Sequence, residues 1–259
     1  SLDAKIKNAI DLSYKRIKKF HSKQKVKNIY YKDTQRNIFR YKYLPIESVG
    51  IYVPGGNASF PSTVLMNAIP ARIAGVKRIV MVNPTKNGKQ SPGVLYAAKK
   101  CGVNEIYSIG GAQSIGALTY GTKTVKKVDK IVGPGNTFVT SAKKEVFGEV
   151  GIDMIAGPSE ITVVADDKGN SSWIASDLIA QAEHDINSQS ILITKSERLI
   201  IDVKKEIKKQ LVNLPRKEIA QKSLSSNGIF IKTTSEEQIV KLINLLGPEH
   251  LVINTKNYN

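Results

Sequence analysis

Apolar and polar positions follow two different periods along this chain. From residue 2 to about residue 25, apolar side chains recur close to every 3.6 residues, which predicts an amphipathic helix. Between residues 26 and 46, two runs rich in Tyr, Ile and Phe flank the polar segment 33–37. That pattern predicts a β-hairpin, which Pro45 ends.

From residue 48, short apolar runs alternate with segments of helical period, and the alternation restarts at Ile161. Predicted strands lie at 49–53, 78–82, 105–109, 130–132, 161–165, 191–194, 228–232 and 251–254. Predicted helices lie at 63–73, 92–101, 113–120, 137–146, 172–183, 196–211, 215–224 and 235–246. This alternation is typical of parallel sheets covered on both faces, so the fold class is α/β with two successive units after an N-terminal helix and hairpin.

The predicted domains are therefore residues 1–47 (helix and hairpin), 48–157 (first unit) and 158–259 (second unit), divided near Gly157 and Pro158. The second unit reads as truncated, because it ends on a strand with no helix after it. Apolar runs are too short to span a membrane, and no signal-peptide pattern follows Ser1, so we expect a cytoplasmic protein. The single cysteine, Cys101, excludes an intrachain disulfide and is interpreted as a small buried side chain.

The net charge of +17, from 39 Lys and Arg against 22 Asp and Glu, raises the question of a nucleic-acid partner. The lysines are dispersed over polar helix positions, and no basic motif interleaved with aromatic residues occurs. We therefore expect a solvated lysine-rich surface and no nucleic-acid or membrane partner. A nucleic-acid binder stays a rival interpretation that rests on charge alone.

Three glycine-rich turns follow strands of the first unit, at 54–57, 110–111 and 133–135. Ligands of parallel α/β sheets bind outside the carboxyl ends of the strands, where glycine allows close backbone approach. The turns therefore predict a nucleotide or phosphate site, and tight strand–helix turns without a ligand are the alternative. The usual dinucleotide fingerprint is absent, because position 138 is Phe138, and no Gly-Lys-Ser/Thr phosphate loop occurs.

Some polar residues of the second unit are candidates for metal binding or acid/base catalysis. Asp177, Gln181 and His184 have the spacing of one helix face, which fits either a metal site or a solvated face. Glu249 and His250 follow Gly247, a helix terminator, and form either an acid/base pair or an isolated pair. Ser159, His184 and the Glu249–His250 pair each precede a predicted strand, so we expect all of them at the amino edge of the second sheet.

Six segments occur in the order and spacing that they have in histidinol dehydrogenase. These are 48–56 (SVGIYVPGG), 110–113 (GGAQ), 129–136 (DKIVGPGN), 156–160 (AGPSE), 181–184 (QAEH) and 247–251 (GPEHL). The chain resembles this family over essentially its whole length.

The resemblance implies two Rossmann-like domains in a homodimer. It also implies oxidation of L-histidinol through L-histidinaldehyde to L-histidine, the last step of histidine biosynthesis, with two NAD⁺ and one Zn²⁺. Carried over by motif, the implied NAD contacts are Tyr52, Gln113 and Asn136; the substrate contacts are Ser159, Gln181, His184 and His250; the zinc ligands are Gln181 and His184; and the acid/base pair is Glu249 and His250.

Family members are longer, and a C-terminal part that has no match here supplies an Asp and a His to zinc and a Glu to the substrate. Since zinc sites normally have about four ligands, we expect this chain alone to bind zinc weakly or not at all and to be poorly active or inactive. The full-length protein would be the enzyme. The alternative is a non-catalytic nucleotide-binding module derived from that enzyme.

Overall fold

The structure, a computed structural model, describes residues 2–55, 59–85, 88–155, 157 and 159–256. The chain divides into two compact units, residues 1–156 and 157–259. Gly56 and Asn57 of the first glycine turn, and Pro158 at the predicted domain division, lie outside the described residues. In the part of the chain that is described, no helix is both long and apolar enough to cross a membrane.

The first unit contains an antiparallel hairpin and a five-stranded parallel sheet with helices. Its elements are α1 (Ala4–His21), a 3₁₀ turn (Ser22–Gln24), β1 (Ile29–Lys32), β2 (Ile38–Tyr41), β3 (Ser48–Tyr52), α2 (Pro61–Ala74), β4 (Arg78–Val82), α3 (Pro92–Lys100), β5 (Glu105–Tyr107), α4 (Gly111–Tyr120), β6 (Lys130–Val132), α5 (Thr137–Glu145) and β7 (Gly151–Ile152).

The N-terminal helix and the hairpin were both predicted, and the structure confirms them. Asp3 caps α1, because its carboxylate accepts from Lys5 N at 2.7 Å. Ile10 of α1 is 5% exposed and belongs to the core that α2 and α3 form on one face of the sheet. The hairpin pairs β1 with β2 in antiparallel register, and all eight of its strand residues are exposed.

The first sheet has the order β5-β4-β3-β6-β7, and every pair is parallel. Alternate strand residues pack against opposite layers: Ile51 against the α2–α3 side and Tyr52 against the α4–α5 side. The chain winds outward from β3 to β5 and then returns to β6 on the other side of β3. This reversal makes a topological switch point between β3 and β6, where ligands of such sheets bind at the carboxyl ends of the strands.

The second unit is a four-stranded parallel sheet with the order β10-β9-β8-β11. Its elements are β8 (Glu160–Ala165), α6 (Ser171–Ala182), β9 (Gln189–Thr194), α7 (Glu197–Leu211), α8 (Lys217–Asn227), β10 (Gly228–Lys232), α9 (Glu236–Leu246) and β11 (His250–Asn254). Helices α6, α7 and α8 share one core with Val163 and Leu192, and α9 packs on the other face around Val164. The two units confirm the predicted α/β fold with two Rossmann-like sheets.

Several predicted boundaries were wrong by a few residues. Helix α6 ends at Ala182, so His184 lies in a turn beyond it, where its N–H donates to Gln181 O at 3.1 Å. Helix α8 continues to Asn227, directly before β10, past the serines that interrupt its apolar pattern. The two-residue strand β7 was missed, because so short a segment carries no periodic pattern.

Candidate active site

The glycine turns of the first unit lie together at the carboxyl edge of its sheet. A Cβ atom on Gly55 would lie 2.0 Å from Pro84 O, so the turn after β3 closes directly on the turn after β4. Asn83, 3% exposed, joins the same turns: its Nδ2 donates to Val53 O at 2.9 Å and to Pro54 O at 3.1 Å. The described residues of these two turns therefore pack closely, and Gly55 leaves no room for a side chain between them.

Two of the implied NAD contacts meet at this edge. Tyr52 is buried, and its hydroxyl accepts from Gly111 N at 3.2 Å, at the start of α4. Gln113 is exposed in the first turn of the same helix, and its Oε1 would lie 2.6 Å from a Cβ on Gly111. Asn136, exposed at the start of α5, follows β6, the neighbour of β3, and its Oδ1 accepts from Val139 N at 3.1 Å.

An ion pair that the sequence did not reveal holds the turn between β6 and α5. Lys143 lies on α5 with its side chain only 5% exposed and pairs with Asp153, and its Nζ also donates to Gly133 O at 3.1 Å. Asp153 Oδ2 accepts from Gly133 N at 2.7 Å. Both backbone polar groups of Gly133 are thus fixed by one buried pair. Sequence alone offered no signal, since Lys143 is one of many helical lysines.

The amino edge of the second sheet collects the predicted substrate and acid/base residues. His250 begins β11 and stands beside Ile161 of β8, and Glu249 precedes it. Strand β11 thus begins one residue before the predicted strand 251–254, and Glu249 Oε2 lies 3.6 Å from His250 Nδ1. The exposed Ser159 precedes β8, and its carbonyl accepts from Gln189 N at 3.1 Å.

Gln181 and His184 lie near this edge at the end of α6. Gln181 is 9% exposed. His184 is exposed, and Arg216 Nη2 donates to its carbonyl at 3.2 Å. From α8, Asn227 Nδ2 donates to Ile186 O at 3.0 Å. Helix α8, which the sequence did not connect with the site, therefore holds the loop that carries His184.

An amide oxygen and an imidazole nitrogen are both groups that zinc takes as ligands, and Gln181 and His184 carry one of each at the end of α6. Among the described residues, however, no group of three or more His, Cys, Asp and Glu side chains could hold a metal ion. Asp177, one turn before Gln181, is partly buried, and this burial raises the pKa of its carboxyl. Gln181 and His184 are both of a kind that zinc takes as ligands, and their role as zinc ligands stays a prediction.

These arrangements agree with comparisons to known proteins. The family model described as histidinol dehydrogenase matches residues 1–259. The chain belongs to the histidinol dehydrogenase family. It is 62% identical over 259 residues to the histidinol dehydrogenase of Pelagibacter ubique, covering 100% of this chain and 60% of the relative. It is 51% identical over 248 residues to that of Bacillus cereus, covering 96% and 58%.

A crystal structure of histidinol dehydrogenase from Elizabethkingia anophelis matches with a TM-score of 0.93 at 41% identity, covering 99% of this chain and 59% of that chain. This agreement confirms both the predicted resemblance and the α/β fold. The chain thus spans about 60% of the length of these histidinol dehydrogenases. The roles carried over to individual residues stay predictions.

Proposed function

We propose that this chain carries residues of an NAD- and zinc-dependent histidinol dehydrogenase, which oxidises L-histidinol through L-histidinaldehyde to L-histidine. The main support is family membership over residues 1–259 together with the Glu249–His250 contact of 3.6 Å. The pair lies at the sheet edge where Ser159 also lies. The resemblance further supports a homodimer that acts in the cytoplasm.

NAD⁺ would bind at the carboxyl edge of the first sheet. Support comes from the switch point between β3 and β6 and from the N-termini of α4 and α5 at this edge, whose partial positive charge favours phosphate oxygens. Tyr52 would position the start of α4, and Gln113 and Asn136 would contact the dinucleotide. The bound nicotinamide would supply the hydride acceptor.

Gln181 and His184 would contribute two zinc ligands, and other ligands would come from beyond the described residues. Bound zinc would supply electrostatic positioning of the substrate's amine and imidazole nitrogens. Ser159 would contact the substrate from the start of β8. In this arrangement the protein holds the substrate's carbinol carbon in place before any proton moves.

The two exposed side chains of the pair divide the proton transfers between them. His250 takes the hydroxyl proton of histidinol while the carbinol hydrogen leaves as hydride, which gives the aldehyde. Glu249 then removes a proton from the water that adds to the aldehyde. His250, after releasing its first proton to solvent, takes a hydroxyl proton of the resulting diol as the second hydride leaves, and the carboxylic acid so formed ionises. The balance is histidinol, water and two NAD⁺ giving histidine, two NADH and three protons.

The test is histidinol-dependent formation of NADH, followed by absorbance. The chain would be joined to the segments of the Pelagibacter ubique relative that the alignment leaves uncovered, and assayed with histidinol, NAD⁺ and zinc. Turnover that His250→Asn abolishes supports the proposal. NAD⁺ binding without turnover supports the alternative, a nucleotide-binding module without catalysis. Turnover that survives His250→Asn contradicts the assigned base.

A further inference from the structure

Glu160 is the last residue of the Gly-Pro-Ser-Glu segment, and the carried-over roles leave it unassigned. It is half-buried and begins β8, where β8 and β11 start side by side. Its Oε1 accepts from Glu249 N at 3.1 Å, and its carbonyl oxygen lies 3.2 Å from His250 Nδ1. One residue thus contacts both members of the acid/base pair, from 89 and 90 positions away in the chain.

The contact at His250 decides where the proton of the neutral imidazole resides. A carbonyl oxygen only accepts hydrogen bonds, so Nδ1 must be the donor. The second group near Nδ1 is Glu249 Oε2 at 3.6 Å, which also accepts. Nδ1 therefore carries the hydrogen, and Nε2 keeps its lone pair. A histidine side chain free in water favours the opposite tautomer, with the proton on Nε2.

The side chain of Glu160 acts on the backbone that presents His250. Helix α9 ends at Gly247, which has φ of 54°, and Pro248 follows with no N–H to donate. Glu249 N–H is therefore the first backbone donor after the helix terminator. By accepting from it, the Glu160 carboxylate fixes the turn immediately before His250.

We infer that Glu160 is a positioning residue for the acid/base pair: its carboxylate fixes the turn at Glu249, and its carbonyl holds His250 in the Nδ1–H tautomer, which leaves Nε2 as the atom that accepts the substrate's proton. The inference rests on the proposed function for its catalytic meaning. The tautomer itself is a property of the free chain and needs no substrate.

The experiment is nitrogen-15 NMR of the imidazoles in the 259-residue chain. The chain has three histidines, so His21→Gln and His184→Gln variants assign the His250 signals. At about pH 8.5, well above the ordinary histidine pKa, the shifts of Nδ1 and Nε2 report the neutral tautomer. We expect the Nδ1–H form to dominate. Glu160→Ala should move the population toward Nε2–H, and Glu160→Gln, whose amide oxygen still accepts, should restore it.

Glu218→Ala is the matched control, since Glu218 is exposed on α8 of the same unit and should leave the tautomer unchanged. Dominance of Nε2–H in the parent chain would overturn the inference, and so would a Glu160→Ala chain with an unaltered tautomer. If Glu160→Ala does not fold, the parent chain and Glu160→Gln still decide the question.

In the turnover assay, Glu160→Ala should lower kcat by about 10- to 100-fold with little change in KM, because a misplaced base costs rate rather than binding. A raised KM at unchanged kcat contradicts the positioning role. Nδ1–H dominance in a protein without histidinol turnover would contradict the proposed function and leave the inference on the tautomer standing.

Discussion

Replacing Lys143 by methionine removes the ammonium that fixes the turn after β6 and keeps a side chain of similar length. In the native chain this group pairs with Asp153 and donates to Gly133 O at 3.1 Å, with the lysine side chain 5% exposed. The variant leaves the Asp153 carboxylate without a cation and the Gly133 carbonyl without that donor. We expect the first unit to lose stability.

The size of the loss in unfolding free energy depends on the exposure and the hydrogen bonds that Asp153 keeps in the variant. Breaking a fully buried ion pair costs about 3–5 kcal/mol. Asp153 retains 29% side-chain exposure and still accepts from Gly133 N at 2.7 Å and Met154 N at 2.8 Å. The remaining carboxylate is therefore partly satisfied, and we expect a loss of about 2–3 kcal/mol, which for a unit of this size lowers Tm by roughly 4–12 °C.

The assay is urea unfolding followed by far-UV circular dichroism, with hydrogen exchange of peptides from each unit to assign the transition. Lys144→Met is the matched control: it makes the same charge change at an exposed neighbour on α5 and should alter the free energy of unfolding by less than about 0.5 kcal/mol. If Lys143→Met is no more destabilising than Lys144→Met, the reasoning about the buried pair is refuted.

Three further predictions concern other features of the first unit. Cys101 is buried, and burial raises the pKa of its thiol to about 11. At pH 8 iodoacetamide should therefore alkylate Cys101 about 100-fold more slowly in the folded chain than in the urea-unfolded chain. Equal alkylation rates would contradict this prediction. Arg78 hydrogen bonds lower the pKa of Glu105, so the unfolded chain binds more protons as pH falls. The stability that this pair provides is present above about pH 4.5 and is lost as pH falls through the lowered pKa of Glu105 in the folded chain. Glu105→Gln should therefore flatten that part of the curve of unfolding free energy against pH, measured by urea unfolding. An unchanged slope would contradict the prediction. Gly133 has φ of 111°, and a Cβ there would lie 2.3 Å from Tyr52 O, so Gly133→Ala should cost about 1–3 kcal/mol from backbone strain alone; parent-like stability in urea unfolding would refute the close approach.

The α/β fold could be predicted because a buried parallel strand is a short apolar run, which can be recognised in the sequence without knowing which strands lie beside it. All five residues of β3 are buried, and the run is plain in the sequence. Strand β7 has no such signal: it is formed by contacts such as Gly151 N to Asp129 O at 3.0 Å, which no local pattern encodes. The end of α6 depended likewise on a local turn, from His184 N to Gln181 O.

Site residues were predicted at the correct sheet edges, because each follows or precedes a strand in a known direction. Their partners were not predicted, since they come from distant positions. Tyr52 bonds Gly111 across 59 positions, and Glu160 bonds Glu249 across 89. Sequence spacing therefore places a side chain at an edge, and only the folded chain shows which group holds it there.

The most direct test of the proposed activity is the amount of NADH formed per histidinol by the chain joined to the uncovered segments of its Pelagibacter ubique relative. The account predicts two NADH per histidinol, with Glu249→Gln accumulating aldehyde after one, because that variant cannot activate the water. Absence of NADH from a folded protein that binds NAD⁺, or two NADH from the Glu249→Gln variant, would contradict it.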